Sequence, residues 1–420
     1  MKKIILLFLL LFSFWLRSDL RTFDLNMSPY SFSDNLLVTH KDLLQLQDKW
    51  FVKDDNNNYL KRIYRLGELF LIWDPINIST VTINHEFAGH GYRIRDIGKK
   101  TASVHSYGVS LPPPYGKGGG FTNFGYDNIL TSQQLMSIFS AGTEASYVLS
   151  NKIITKWLEL QKIDGREATL YGYSSLDITN YTSILFALEK LPQYFGQDGF
   201  DGNDMFMYKD LLNKTYDYSK NLSTNKMYKY SMLNYLDPFA YYSLYSFLKY
   251  IWCGQDFEIP MIPIKKIRYL PRVRFGLTPF GPEFYLQNFF VLDEKSMIAY
   301  IRYGKFAENK YGGFGIDMPH LYSNKDGFIL GSRVDLWYQP NIILSKGKNF
   351  NKDFQIYMGY DKKELKKKYF GAAFSLCFSK SFNKKPFNLF IEGGYKTRGF
   401  LPGFSLKDSP IIRFGFDAKY

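Results

Sequence analysis

The sequence predicts an α+β protein. A mostly helical N-terminal domain covers residues 19–265, and an antiparallel β-barrel of about eight strands follows over residues 266–420. Three observations lead there. In the first part apolar residues recur at helical spacing, as at Leu135, Ile138, Phe139, Ala145, Val148 and Leu149. From about Lys266 that pattern stops and period-two alternation takes over, run after run. Ahead of both, Met1-Lys2-Lys3 and an apolar run from Ile4 to Leu16 mark residues 1–18 as a signal peptide or anchor.

Taken in order, the apolar run at the start is too short for a spanning helix. It ends in Arg17-Ser18-Asp19 without an Ala-x-Ala site, so an uncleaved anchor stays open. No cysteine lies near residue 18, which argues against a lipoprotein. The apolar stretches Leu69 to Ile83 and Tyr235 to Trp252 are broken by Asp74-Pro75 and Asp237-Pro238 and read as buried helices. An intramembrane protease is therefore the lesser alternative. Residues 102–111 alternate as a strand and lead into Pro112-Pro113-Pro114 and a glycine run. No Gly-Lys-Ser/Thr follows that run, so it is a mobile loop near the cleft and not a phosphate loop. Thr131 to Trp157, Ser175 to Lys190 and Met205 to Asn213 are expected to be helical. The acidic loop at 196–204 lacks the order and the closing glutamate of a calcium loop, and Asp204 is read as the cap of the next helix.

The chemistry concentrates in His85-Glu86-Phe87-Ala88-Gly89-His90. Two imidazoles around a carboxylate are what a zinc hydrolase needs, the rings for the metal and the acid to take a proton from bound water. Two of the chain's five histidines fall within these six residues. The spacing is one residue longer than the usual four. On a regular helix, positions five apart sit roughly 140° out of alignment. A one-residue π-bulge removes that mismatch, and Gly89 gives the backbone freedom for it.

The hexapeptide His-Glu-x-x-Gly-His resembles the motif of dipeptidyl peptidase III, a gluzincin metallopeptidase. The likeness covers this motif and one downstream glutamate. It implies a zincin-like helical domain, His85 and His90 as zinc ligands and Glu86 as general base, and it does not extend to that family's fold or dipeptide release. The expected third ligand is Glu144, set among small and apolar residues where an unpaired carboxylate is costly. Ser140, Ala141, Gly142, Ala145 and Ser146 would let its helix approach the histidine helix closely. A glutamate from a second helix is also the gluzincin arrangement. The plain alternative is a surface glutamate. His105 and Asp96 are lesser ligand candidates. His105 or Tyr107, on the strand beside the site, could contact substrate or steady an oxyanion, although a lone strand histidine is more often a packing or surface residue. Arg93 and Arg95 could hold a substrate carboxylate or face solvent.

The C-terminal run Ile412, Phe414, Phe416, Ala418, Tyr420 alternates with Arg413, Gly415, Asp417, Lys419. It resembles the closing strand of bacterial outer-membrane β-barrels. Strands are expected near 267–275, 282–292, 296–304, 311–318, 327–338, 353–361, 368–379, 387–396 and 410–420, one of them spurious because bacterial barrels have even strand numbers. Phe370, Ala372, Phe374, Leu376 and Phe378 share a face for lipid; Ser375, Cys377 and Ser379 share one for the lumen. A soluble sandwich is the alternative. Aromatics at 19%, with 34 Tyr and 38 Phe, suit interface girdles. Cys253 and Cys377 fall in different parts and suggest no disulfide framework. The net charge of +14 fits anionic headgroups better than nucleic acid in an exported chain.

The expectation is a zinc-dependent peptidase acting on peptide or protein, held at the bacterial outer membrane by its barrel, with the helical domain periplasmic. The competing class is a non-catalytic outer-membrane protein with a structural metal or none. A hydrolase of non-peptide amides or esters shares the metal chemistry.

Overall fold

The computed structural model describes residues 21–50, 58–126, 130–191, 202–216, 221–345, 367–382 and 387–418. The proposed signal at 1–18, the proposed strand at 353–361 and the terminal Tyr420 lie outside them. The chain mixes helices with one large antiparallel sheet.

A short strand β1 (Arg21–Phe23) leads into α1 (Pro29–Trp50). One continuous helical rod then runs from Tyr59 to Ile97. It is built of α2 (Tyr59–Glu68), a π-helical turn (Leu69–Trp73), α3 (Asp74–Ile83), a second π-helical segment (Asn84–His90) and α4 (Gly91–Ile97). Pro75 is the second residue after the first π-helical turn. Gly98, at φ 106°, ends the rod in a conformation that suits glycine. The hairpin β2 (Ala102–Val109) and β3 (Gly120–Tyr126) comes next.

The helix expected over 131–157 is two. Helix α5 (Ser132–Phe139) starts at a capping box, in which Thr131 and Gln134 satisfy each other's backbone N–H. After Ser140, α6 (Ala141–Leu160) crosses the centre of the molecule. Trp157, Leu149, Ile154 and Leu158 on α6 meet Phe289, Val291 and Ile298 of the sheet in the largest apolar core. Helices α7 (Ala168–Ser175), α8 (Asp177–Lys190), α9 (Asp204–Tyr216), α10 (Thr224–Ser231) and α11 (Pro238–Cys253) complete the helical part.

Two short strands, β4 (Lys162–Ile163) and β5 (Phe257–Glu258), pair with each other. The large sheet has ten strands in the order β1-β14-β13-β12-β11-β10-β9-β8-β7-β6. Eight are long: β7 (Ile267–Thr278), β8 (Gly281–Leu292), β9 (Lys295–Phe306), β10 (Asn309–Ser323), β11 (Phe328–Pro340), β12 (Lys368–Phe382), β13 (Phe387–Lys396) and β14 (Ser409–Ala418). The edges are β1 and the three-residue β6 (Ile262–Ile264). Among the described residues these edges do not pair, so the sheet is not closed into a barrel. The expected division at 265 is also crossed, since β1 belongs to the sheet. The segment after β13 turns back as well: Phe404 O accepts from Arg93 and Leu406 N–H donates to Asp96.

Polarity in the sheet is inverted. Toward the helices point Glu283, Gln287, Arg302, Asp335, Ser375 and Glu392, all buried. Away from them point Ile301, Phe314, Leu336, Phe370, Phe374, Ile391 and Phe414, all exposed. The two apolar helices expected to be buried show the same inversion. Phe70, Leu71 and Ile72 are exposed on the rod, and Leu244, Leu248 and Trp252 on α11, while Glu68, Ser243 and Ser246 face inward. Helical periodicity locates such a stripe but does not say whether protein or another medium covers it.

Candidate metal centre

The second π-helical segment holds the histidine pair. Because the rod changes its winding from Asn84 to His90, the two rings come together at 5.0 Å between centroids despite the five-residue spacing. Two glycines allow this. A Cβ on Gly89 would lie 2.5 Å from Gly142 Cα, and a Cβ on Gly142 would strike His85 Nε2. The rod and α6 therefore touch backbone to backbone at the site, as the small residues around 142 suggest.

Each ring is fixed through its other nitrogen. His90 Nδ1 lies 2.7 Å from the carbonyl of Ile138 at the end of α5. A carbonyl only accepts, so Nδ1 carries the proton and Nε2 is left to a ligand. His85 Nδ1 lies 2.9 Å from Asp177 Oδ2 at the start of α8. Both Nε2 atoms then face Asp204, at 3.1 Å from His90 and 3.6 Å from His85. His85 Nε2 is buried with no hydrogen-bond partner. A buried polar atom without a partner is costly unless something else fills the place. His85, His90 and Asp204 each offer one atom within 4.8 Å of the others and can hold a metal ion.

The electrostatics agree with the geometry. Burial would lower the pKa of His90, but the Asp204 carboxylate outweighs it and leaves the ring above its ordinary value. His85 is likewise raised against its burial, with the Asp177 carboxylate hydrogen-bonded to its Nδ1. Burial would raise Asp204, yet His90 and His85 hold it below the usual carboxylate range. A divalent cation placed among these atoms would supply positive charge for the Asp204 carboxylate and displace protons from the rings.

Glu86 follows His85 in the same π-helical segment and is buried. Its Oε2 accepts from Thr122 Oγ1 at 2.7 Å, and Gly120 leaves room beside its Oε1. Strand β3 is thus the wall against the carboxylate. Tyr181 stacks flat on His85, with ring centroids 5.0 Å apart and planes 9° apart. Burial pushes its phenol well up, so the hydroxyl keeps its proton.

Glu144 does not join this cluster. It donates no oxygen to the cluster; Arg93 Nη2 lies 2.6 Å from its Oε1, and the Gly403 N–H donates to the same atom. Helical geometry gives the reason. Gly142 faces His85, and a residue two positions on is turned by roughly 200° to the far side of α6. Arg93 waits there, one turn past His90, so neither arginine candidate is a free substrate clamp: Arg95 donates to Tyr107 Oη at 2.7 Å and to Phe87 O at 3.0 Å. Tyr107 is thereby committed to Arg95, and His105 is an exposed strand residue lying over Gly125. Neither joins the cluster. Asp96 accepts from Leu406 N–H.

Asp204, Asp177 and Tyr181 were not legible as site residues. Asp204 has the sequence context of a helix cap, but Asn203 takes that role, its Oδ1 accepting from Phe206 N–H at 3.0 Å. The spare acid directly after a competent cap was the one available signal. Asp177 and Tyr181 lie four apart on α8 and so share a face.

No family model, no curated protein and no solved structure matches this chain.

Proposed function

We propose that this chain is a zinc-dependent hydrolase, most simply a peptidase, carried on a sheet that lies in the bacterial outer membrane. The observation that carries the reading is the meeting of His85 Nε2, His90 Nε2 and the Asp204 carboxylate around one point, with Glu86 following His85 in the same π-helical segment. Two imidazoles and one carboxylate suit zinc, and three protein ligands leave a position for water. Zinc bound there would lower the pKa of water and polarise a carbonyl. Glu86 accepts the proton of the attacking water and returns it to the leaving amine. Tyr181, neutral and beside His85, donates to the oxygen that gains charge. Asp177 and the Ile138 carbonyl hold the two rings in the required tautomer.

The membrane placement rests on the inverted sheet. Its long strands have 10 to 15 residues, enough to cross a hydrocarbon core at a tilt. Its outward side chains are Phe, Ile, Leu and Tyr, while its inward side mixes an apolar patch around Phe289 and Val291 with the buried polar groups Glu283, Gln287, Arg302, Asp335 and Glu392.

The test is a metal assay joined to a peptidase assay. Purified chain should hold about one zinc per molecule and cleave members of a peptide library until a chelator is added. Glu86→Gln should keep the metal and lose at least about 10²-fold in kcat. Asp204→Ala should lose the metal. Two histidines and one carboxylate are also the ligand set of non-haem iron, so iron in the analysis would redirect the assignment. Zinc with no hydrolysis of any peptide, amide or ester would make the ion a structural staple.

A further inference from the structure

We infer that the helical part also contacts lipid, through a face made by α2, the first π-helical turn and α11, and that the acyl region of a bilayer is what covers this face. The observation is the direction of the side chains. On α2 and the turn after it, Leu60, Ile63, Leu66, Phe70 and Leu71 point outward while Arg65 and Glu68 are buried. The inward charges are fully engaged. Glu68 accepts from Gln47, Trp73 and Tyr250, and Arg65 donates to the Ile251 carbonyl. A water-facing helix has the opposite arrangement. Helix α11 repeats it, with Tyr241, Leu244, Leu248 and Trp252 out and Ser243, Ser246 and Tyr250 in. Ser246 Oγ donates to the Ile163 carbonyl, so the small polar residues serve the interior.

The two helices form one surface, since Phe70 and Phe247 meet edge to face at 5.8 Å. Exposed large apolar side chains from both helices thus come together, and soluble monomers rarely leave such clusters in water. Three further features select lipid as its occupant. After α11 the chain reaches β6 and the start of β7, where Ile262, Ile264 and Ile267 are also exposed, so exposed apolar residues continue to the edge of the sheet. Its rim carries Tyr59, Tyr64, Tyr235 and Tyr245, and Arg62 lies 4.0 Å over the Trp252 ring. Amphipathic aromatics and long cations at a rim are the residues that settle at headgroup level. Third, the chain's charge of +14 favours an anionic surface. No helix among the described residues is long and apolar enough to cross a membrane, so these helices lie in one leaflet and do not span.

The experiment uses the full chain, refolded into phosphatidylethanolamine and phosphatidylglycerol vesicles. Cys253 and Cys377 are replaced by serine, and a nitroxide is attached at Leu66→Cys or Leu248→Cys. Its relaxation by oxygen, which partitions into lipid, is compared with relaxation by a water-soluble nickel chelate. Phe374→Cys on the outward face of β12 and Lys99→Cys in an exposed turn serve as references. The labels at 66 and 248 should be relaxed by oxygen several-fold more than the Lys99 reference and be shielded from nickel. Nickel access equal to that at Lys99 would overturn the inference. Immobilised labels shielded from both agents would overturn it too, because a second protein copy would then be the occupant. The Phe374 label reports separately on the sheet. If it alone is exposed to nickel, the outer-membrane reading of the strands fails while the helical face still stands.

Discussion

At the residue scale the metal centre depends on a few side chains whose roles differ sharply. Asp204→Ala and Glu144→Gln both remove one carboxylate, but only the first should abolish metal binding, measured by equilibrium dialysis. Glu144→Gln should instead lower stability, because buried Arg93 loses its nearer anion and keeps only Asp96 at 3.6 Å. Asp177→Ala should weaken metal affinity by roughly 10- to 100-fold, since the His85 ring loses its orienting partner. The pH dependence of the metal-free protein follows from the same contacts. His85 and His90 have folded pKa values above their ordinary 6.5. Their stabilisation is complete below that value and is lost as pH rises through the folded values. Asp204 is held low, so its share is present above the ordinary carboxylate pKa and lost in strong acid. The melting temperature of chelator-treated protein should therefore fall from about pH 6 upward. Metal-loaded protein should be spared, because binding displaces protons and tightens as pH rises. A constant gap between the two melting curves across pH would count against the cluster. The histidine pair and Glu86 could be found in the sequence because they are six contiguous residues. Asp204 could not, because its partner rings are distant in the chain and its own neighbourhood offered a sufficient local explanation.

At the element scale, the change of helical winding was readable from spacing alone, since two converging histidines at a spacing of five with a glycine beside the second admit few other solutions. The partner helix α6 was readable from its small residues, though not the face on which its glutamate sits. The break at Ser140 was missed. It matters because the short α5 delivers the Ile138 carbonyl to His90. Thr131 caps α5 and donates to the Ile343 carbonyl. Thr131→Ala should cost about 1 kcal/mol of stability in denaturant titration, with a smaller loss of metal affinity than Asp177→Ala. The helices at 69–83 and 235–252 illustrate the opposite limit. Their apolar stripes were evident, but a stripe that faces protein and one that faces lipid have the same periodicity.

On the level of the whole molecule, alternation from residue 267 onward located the eight long strands with their inward and outward faces. It did not reveal that the strands pair as an open ladder, or that a strand near residue 22 extends it. Those are matters of non-local pairing, which a period-two pattern does not encode. If the outward face lies in lipid, Phe374→Lys should cost roughly 2–4 kcal/mol in urea unfolding from vesicles. An unchanged midpoint would remove the sheet from the membrane.

Strand β1 is hydrogen-bonded to β14, with Arg21 opposite Phe416 and Phe23 opposite Phe414. A ribosome makes those two partners at opposite times. The first cannot dock until nearly the whole polypeptide has been synthesised, so this seam forms last and during translation the early strand must wait unpaired.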